Sequence, residues 1–104
     1  MIRKKRIDRN HVIYQVTCPD TGDFYIGLTV ARGQAFLKSV KIRLQNHFSA
    51  ARTKDKDQIF AHFIRNNPEA QYLYEVVEVV RGRKAAHQRE RELISLYEPS
   101  LNTK

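Results

Sequence analysis

The stretch HVIYQVTCPDTGDFYIGLT, residues 11–29, decides the fold. Two runs rich in β-branched and aromatic residues flank a cluster of turn residues. This pattern predicts two antiparallel strands, 12–17 and 24–28, joined by a short loop in which Gly22 is free to take a positive φ angle. Each strand carries one tyrosine, Tyr14 and Tyr25, and the predicted hairpin places them roughly opposite each other. On a shared face, the two phenol groups lie side by side.

Hydrophobic periodicity predicts two helices after the hairpin. The first runs over 35–52. Ile42 is its exception, an apolar residue on the side of the helix opposite the apolar arc. The second covers 58–66 and ends before Pro68, which cannot continue a helix. The predicted buried arc of the first helix comprises Phe36, Leu37, Val40, Leu44, Phe48 and Ala51, and that of the second comprises Ile59, Phe60, Phe63 and Ile64.

A strand and a last helix follow. Residues 72–80 are apolar on both alternating faces, which predicts a strand buried on both sides at the centre of the sheet. The last helix spans 84–97 and ends before Pro99. Its predicted buried arc comprises Ala86, Leu93, Ile94, Leu96 and Tyr97.

These elements together predict an α/β (α+β) fold with the order β-β-α-α-β-α. A small, three-stranded and mainly antiparallel sheet is flanked by helices. We expect residues 1–10 to form a basic N-terminal arm and residues 11–104 to form a single domain.

The charge of the chain points to a polyanionic partner. Its 104 residues carry a net charge of +8, with a pI near 9.9. Nucleic acid is the leading candidate partner, and the alternative is a basic protein kept soluble by its charge. The side chains expected to contact phosphates are those of Arg3, Lys4, Lys5, Arg6, Lys38 and Lys41.

Other features of the sequence indicate the cellular compartment. No apolar run is long enough to cross a bilayer, and the basic N-terminus is not followed by the apolar segment of a secretory signal. The single cysteine, Cys18, permits no internal disulfide. We therefore expect a cytoplasmic protein. A prokaryotic or phage-type setting is a separate expectation, which does not follow from the composition.

Four polar features are candidates for chemistry: the two tyrosines, Arg43 with His47, Glu90, and Asn102. Arg43 and His47 are four residues apart and adjoin on the surface of the first helix. Glu90 falls near the middle of the apolar arc of the last helix, where its carboxylate is unfavourable unless it is paired or bound to a cation.

Each candidate also has a purely structural interpretation. The tyrosines are then ordinary strand residues, and Arg43 with His47 form a solvated helix edge. Glu90 is a buried ion-pair partner for Arg43, and Asn102 satisfies backbone groups. A zinc site is not indicated, because one cysteine and four scattered histidines show no ligand spacing.

Considered together, these features resemble the GIY-YIG nuclease superfamily. The two-part signature is similar to Val-Ile-Tyr at 12–14, where Val12 replaces the first glycine, and to Tyr-Ile-Gly at 25–27. The segment 43–48 resembles the Arg-x3-His helix of restriction and homing-type members. Segments 90–94 and 99–102 resemble those that carry the family's metal-binding glutamate and closing asparagine. The resemblance covers residues 12–102 and suggests a stand-alone catalytic domain.

The resemblance implies a metal-dependent endonuclease that hydrolyses DNA phosphodiester bonds. Glu90 would bind Mg²⁺ or, in its place, Mn²⁺, and Arg43 would bind the phosphate. Tyr14 would be the general base or orient the water, with His47 accepting its proton and Tyr25 supporting it. Asn102 would orient Glu90 or Tyr14.

Two rival functions stay open at this stage. One is a non-catalytic nucleic-acid-binding module on the same fold, and the other is a basic structural protein such as a ribosome-associated factor. DNA is the expected partner. A homodimer, or a partner protein that supplies target specificity, is also compatible with so small a chain.

Overall fold

The computed structural model describes residues 9–53 and 59–102, so most of the predicted arm lies outside the described residues. The predicted order of elements is confirmed. The elements are β1 (Asn10–Thr17), β2 (Phe24–Val30), α1 (Phe36–Thr53), α2 (Ile59–Asn66), β3 (Leu73–Arg81) and α3 (Arg83–Tyr97).

The three strands form one antiparallel sheet in the order β2-β1-β3, and β1 is its central strand. Successive residues of β1 point to opposite faces of the sheet and are buried on both. Helices α1 and α2 cover the face that carries Tyr14, while α3 covers the face that carries Ile13. The core is therefore two thin layers separated by one buried strand.

The hairpin forms as predicted, with Gly22 at a φ of 79°. The Gly22 N–H donates to the Cys18 carbonyl at 2.8 Å and closes the turn. In the register, Tyr14 lies opposite Gly27 and Tyr25 lies opposite Val16. The two tyrosines share a face but are diagonal neighbours instead of direct partners.

The prediction that residues 72–80 form the central strand is wrong, because β3 lies at the edge of the sheet. A bulge at Val77 explains the apolar pattern: Ile13 pairs with Glu78 while the next residue, Tyr14, pairs with Val76. The extra residue reverses the alternation. Residues before the bulge pack towards α1 and α2, and Val80 after it packs in the α3 layer. Each half of β3 is buried on one face only, but the two halves use opposite faces. The sequence pattern therefore looks like that of a strand buried on both faces.

Four apolar residues predicted to be buried on helices are exposed. Leu37 on α1 is 54% exposed, Ile59 on α2 is 41% exposed, and Leu96 and Tyr97 on α3 are 70% and 58% exposed. A sheet of three strands offers a narrow apolar surface, and the buried residues of α3 are Ala86 and Leu93. No helix among the described residues combines the length and apolar character needed to span a bilayer.

The segment after α3 wraps around the outer edge of β2. Its Asn102 side chain accepts a hydrogen bond from the Ile26 N–H at 2.9 Å and donates one to the Ile26 carbonyl at 2.8 Å. The Leu101 N–H donates to the Phe24 carbonyl at 3.0 Å, and the Leu101 side chain is buried in the α1 layer. This edge clamp, residues 100–102, satisfies backbone groups that an edge strand would leave open.

Replacing Asn102 by alanine should destabilise the protein by about 1–3 kcal/mol, since two backbone groups of Ile26 lose their partner. Urea unfolding measures the change. The control is Gln88→Ala, which truncates an exposed amide on α3 and should leave the free energy of unfolding unchanged or slightly higher. Equal effects of the two substitutions would contradict the clamp.

Candidate active site

Tyr14 is the centre of the site. Its side chain is 0% exposed, and its ring extends across Gly27 of the neighbouring strand. A Cβ atom added at Gly27 would overlap the ring carbon Cζ and the hydroxyl of Tyr14, and would lie 2.7 Å from Cε2 of Tyr25. A glycine within the strand is therefore required by the close approach of the two tyrosine rings.

The Tyr14 hydroxyl has its polar partner on α1. It lies 3.0 Å from Nε2 of His47, so a hydrogen bond joins the central strand to the helix. A buried hydroxyl without such a partner would be costly. Arg43 lies one helical turn before His47, and its charge acts on Tyr14, Tyr25 and His47. The structure thus brings four of the six predicted site residues together on one face of the sheet.

Tyr25 and Phe60 form the aromatic wall of this cluster. Their rings stack with centroids 4.4 Å apart and an interplanar angle of 18°. The His47 ring contacts both, edge-on to Tyr25 at 5.4 Å and tilted on Phe60 at 5.1 Å between centroids. Tyr14 and Tyr25 are 6.2 Å apart by the same measure. The imidazole is therefore held in place by its packing as well as by its hydrogen bond.

Burial keeps the cluster uncharged apart from Arg43. It raises the pKa of both tyrosines, and Arg43 opposes this without overcoming it. Burial and the Arg43 charge lower the pKa of His47 to about 4, so its imidazole is neutral near neutral pH. Tyr14 and His47 form a neutral pair beside one guanidinium group.

Glu90 approaches the tyrosines from the α3 side. Its charge contributes to the raised pKa of Tyr14 and Tyr25, so its electrostatic influence reaches them, although no hydrogen bond joins them in the described structure. The Glu90 side chain is 19% exposed, and its desolvation raises the pKa of the carboxyl group. Within the described residues its ion-pair contact is His87, 3.9 Å away, and no ion pair with Arg43 forms. The structural ion-pair interpretation is not supported.

The donor set around Glu90 fits a hard cation held largely by non-protein ligands. The described residues contain no cluster of three or more His, Cys, Asp or Glu side chains that could hold a metal ion. Mg²⁺ commonly binds one or two carboxylates and completes its coordination with phosphate oxygens and water. A single desolvated carboxylate is consistent with that mode and not with a closed zinc site.

Asn102 does not have the orienting role expected of it. Both polar atoms of its amide bond the backbone of Ile26, between Tyr25 and Gly27, so they do not orient Glu90 or Tyr14. It positions β2 instead. The sequence could not reveal this, because the role depends on a contact between residues 76 apart.

Of the six basic residues predicted to bind phosphates, two lie in the described part of the chain. Lys38 and Lys41 are exposed on α1 and line a shallow cleft with Gln45 and Tyr74. The remaining four residues, Arg3, Lys4, Lys5 and Arg6, fall outside the described residues.

Two residues of the site were not among the predicted candidates. Gly27 had a usable signal, since a glycine inside a strand indicates a close approach of other groups. Phe60 had none, because an apolar residue on an amphipathic helix is equally well explained by burial. Only the packing of α2 against the hairpin reveals that Phe60 stacks on Tyr25.

Comparison with known proteins places this arrangement in a family. The family profile described as the GIY-YIG catalytic domain matches residues 10–104. The chain belongs to the GIY-YIG catalytic domain family, a family of nucleases that generally act on DNA. No curated protein and no solved structure matches the chain.

Acidification should reduce stability through His47. The pKa of His47 is about 4 in the folded protein and 6.5 in the unfolded chain, so the unfolded chain binds the proton first as the pH falls. The His47 contribution to the free energy of unfolding should be constant above about pH 6.5 and fall between about pH 6.5 and 4. Urea unfolding of the native chain and His47→Gln across this range isolates the contribution as the difference between two curves. Parallel curves would show that His47 titrates normally.

Gly27→Ala should destabilise the protein by about 1–3 kcal/mol, because the added methyl group displaces the Tyr14 ring. Part of the overlap is with the Tyr14 hydroxyl. The loss should therefore be smaller in a Tyr14→Phe background, as measured by a double-mutant cycle in urea. Thr29→Ala on the same strand serves as the control in both backgrounds. The same loss from Gly27→Ala in both backgrounds would argue against the steric explanation.

Proposed function

We propose that this chain is a metal-dependent endonuclease that hydrolyses DNA phosphodiester bonds. The observation that carries the proposal is the contact of the Tyr14 hydroxyl with His47 Nε2 at 3.0 Å, beside Arg43 and within the electrostatic reach of Glu90. A purely structural tyrosine needs a hydrogen-bond partner, but it does not need a guanidinium and a desolvated carboxylate as well. The proposed site also includes Tyr25, with Asn102 as a positioning residue.

Arg43 is assigned to the phosphate. Its side chain is exposed, and its charge acts on three neighbouring groups of the cluster, all of them neutral near neutral pH. A guanidinium donates a planar fork of hydrogen bonds that matches two phosphate oxygens. Bound there, it would stabilise the negative charge that builds up on those oxygens as the bond to the attacking oxygen forms.

Tyr14 and His47 are assigned to the proton. Attack forms a bond from the water oxygen to phosphorus, breaks one water O–H bond and breaks the bond from phosphorus to the leaving sugar oxygen, which takes a proton from solvent water. The released proton passes to the Tyr14 oxygen while the Tyr14 proton passes to Nε2 of His47. This requires an unprotonated Nε2, which the low pKa of His47 provides. A phosphate on Arg43 offsets one of the two causes of that low pKa, so the imidazolium becomes easier to form.

Glu90 is assigned to the cation, Mg²⁺ or Mn²⁺. Its carboxylate is desolvated and forms no ion pair with a lysine or arginine among the described residues, which leaves it available as an oxygen ligand. When bound, the cation supplies positive charge for the phosphate and the leaving oxygen. Tyr25 supports the water or the phosphate from β2, and its position depends on the edge clamp that Asn102 makes.

Cleavage of supercoiled plasmid DNA with Mg²⁺ or Mn²⁺ tests the proposal. Glu90→Gln should reduce the rate by at least about 100-fold, the effect expected when a group that stabilises transition-state charge is removed. Glu92→Gln makes the same change of charge two residues away on the exposed side of α3, and it should cut at close to the native rate. Folding of each variant is matched by urea unfolding.

Two results would count against this assignment. Equal loss of cutting in both glutamine variants would show that the charge of α3, and not Glu90 itself, matters. If the native chain does not cut while its salt-sensitive binding to DNA persists, the non-catalytic binding module is favoured.

A further inference from the structure

A second feature lies beside the tyrosine cluster. A cleft of about 670 Å³ opens between the end of β2, the loop after it and one side of α1. Its charged side chains, among the described residues, are all arginines: Arg9, Arg32 and Arg43. Arg43 belongs both to the cleft and to the tyrosine cluster. A ligand bound in the cleft therefore lies next to the proposed site of hydrolysis.

The cleft is not purely cationic. Val30 and Ile42 give it an apolar side, and Asn10 and Asn46 also line it. Ile42 is the one residue that departs from the amphipathic pattern of α1, and the core clusters do not include it. It is nevertheless half-buried. Its place in the cleft accounts for an apolar residue on this side of α1.

The loop that carries Arg32 is held in place by α1. The Arg32 N–H donates to the Ser39 hydroxyl at 2.9 Å, and that hydroxyl donates to the Ala35 carbonyl at 2.8 Å. Ser39 is itself 3% exposed. The backbone at Arg32 is thus fixed by a buried side chain, while its guanidinium stays at the surface of the cleft.

We infer that this cleft binds an unpaired nucleotide of the substrate strand, adjacent to the phosphate that Arg43 holds. Its phosphate lies against Arg32 and Arg9, and its base lies against Val30 and Ile42. The inference rests on the proposed function and deepens it, because it selects DNA with an unpaired nucleotide over a fully paired duplex. A bare phosphate would need the arginines but not the apolar side.

The cleft shares features with sites that recognise single-stranded nucleic acid. Such sites combine a positive groove that follows the backbone with side chains, usually aromatic, on which unstacked bases rest without regard to sequence. In this cleft the aliphatic side chains of Val30 and Ile42 provide that surface. A paired base is stacked within the duplex and has no free face for Ile42. The amides of Asn10 and Asn46 are suited to hydrogen-bond the edge of an exposed base.

Binding measured without metal tests the inference. Fluorescence anisotropy in EDTA compares three duplexes: one fully paired, one with a single unpaired nucleotide, and one with an abasic residue at that position. The native chain should bind the second at least about fivefold more tightly than the other two, which corresponds to the lower range of base-contact energies. Ile42→Ala should abolish this preference and leave binding to the paired duplex unchanged.

Arg32→Gln should weaken binding to all three duplexes and reduce the salt slope by about 1, the effect of removing one phosphate contact. The control is Arg83→Gln, an exposed arginine at the start of α3 and outside the cleft. Equal effects of the two arginine substitutions would overturn the phosphate contact. Equal binding of the paired and unpaired duplexes by the native chain would overturn the base contact.

The cleavage assay separates the two proposals. If the native chain does not cut DNA but shows the preference and its loss in Ile42→Ala, the cleft assignment stands and the hydrolytic function fails. If the native chain cuts DNA, Glu90→Gln does not, and Ile42→Ala and Arg32→Gln bind like the native chain, the hydrolytic function stands and the cleft assignment fails.

Discussion

The hydroxyl of Tyr14 is buried at the centre of the protein, and its need for a hydrogen-bond partner constrains most of what surrounds it. His47 meets that need from α1, which fixes how the helix is rotated about its own axis above the sheet. Arg43, one turn earlier, is then carried to the same side. The ring of Tyr14 occupies the space above β2, so the strand must have a glycine at position 27. One polar atom in an apolar layer thus determines the rotation of α1, the glycine at position 27 of β2 and the position of the Arg43 guanidinium.

The same burial sets the charge of the site. Removing water disfavours ions of either sign, so the tyrosines keep their protons and His47 loses its own. Arg43, at the surface, retains its charge because a guanidinium does not deprotonate in proteins. The α1 side of the site is therefore positive, while Glu90 on α3 adds a negative charge that acts on the same tyrosines. The phosphodiester and the divalent cation of the proposed function would complement these two charges, the anion at Arg43 and the cation at Glu90.

The sequence predicts the fold well where local pattern and tertiary contact agree. The hairpin, the bounds of α1 within one residue and the helical phase of Glu90 all follow from spacing alone. It fails where one residue changes the geometry. The bulge at Val77 reverses the alternation of β3 and makes an edge strand look like a central one. The role of Asn102 and the stacking of Phe60 depend on distances between remote segments, and no local pattern encodes those distances.

The edge clamp has a consequence for how the chain matures in the cell. The Asn102 amide makes the pair of hydrogen bonds to Ile26 that a residue of an added strand would make, so it occupies the edge that another chain could otherwise join. This contact joins residues 76 positions apart, and at a synthesis rate of 5–20 residues per second they emerge about 4–15 s apart. During that interval both strands of the hairpin have been synthesised, and the outer edge of β2 lacks the hydrogen bonds that Asn102 supplies. Protection against aggregation therefore begins only when residues 100–102 dock, and slower translation of the region between them lengthens the exposure.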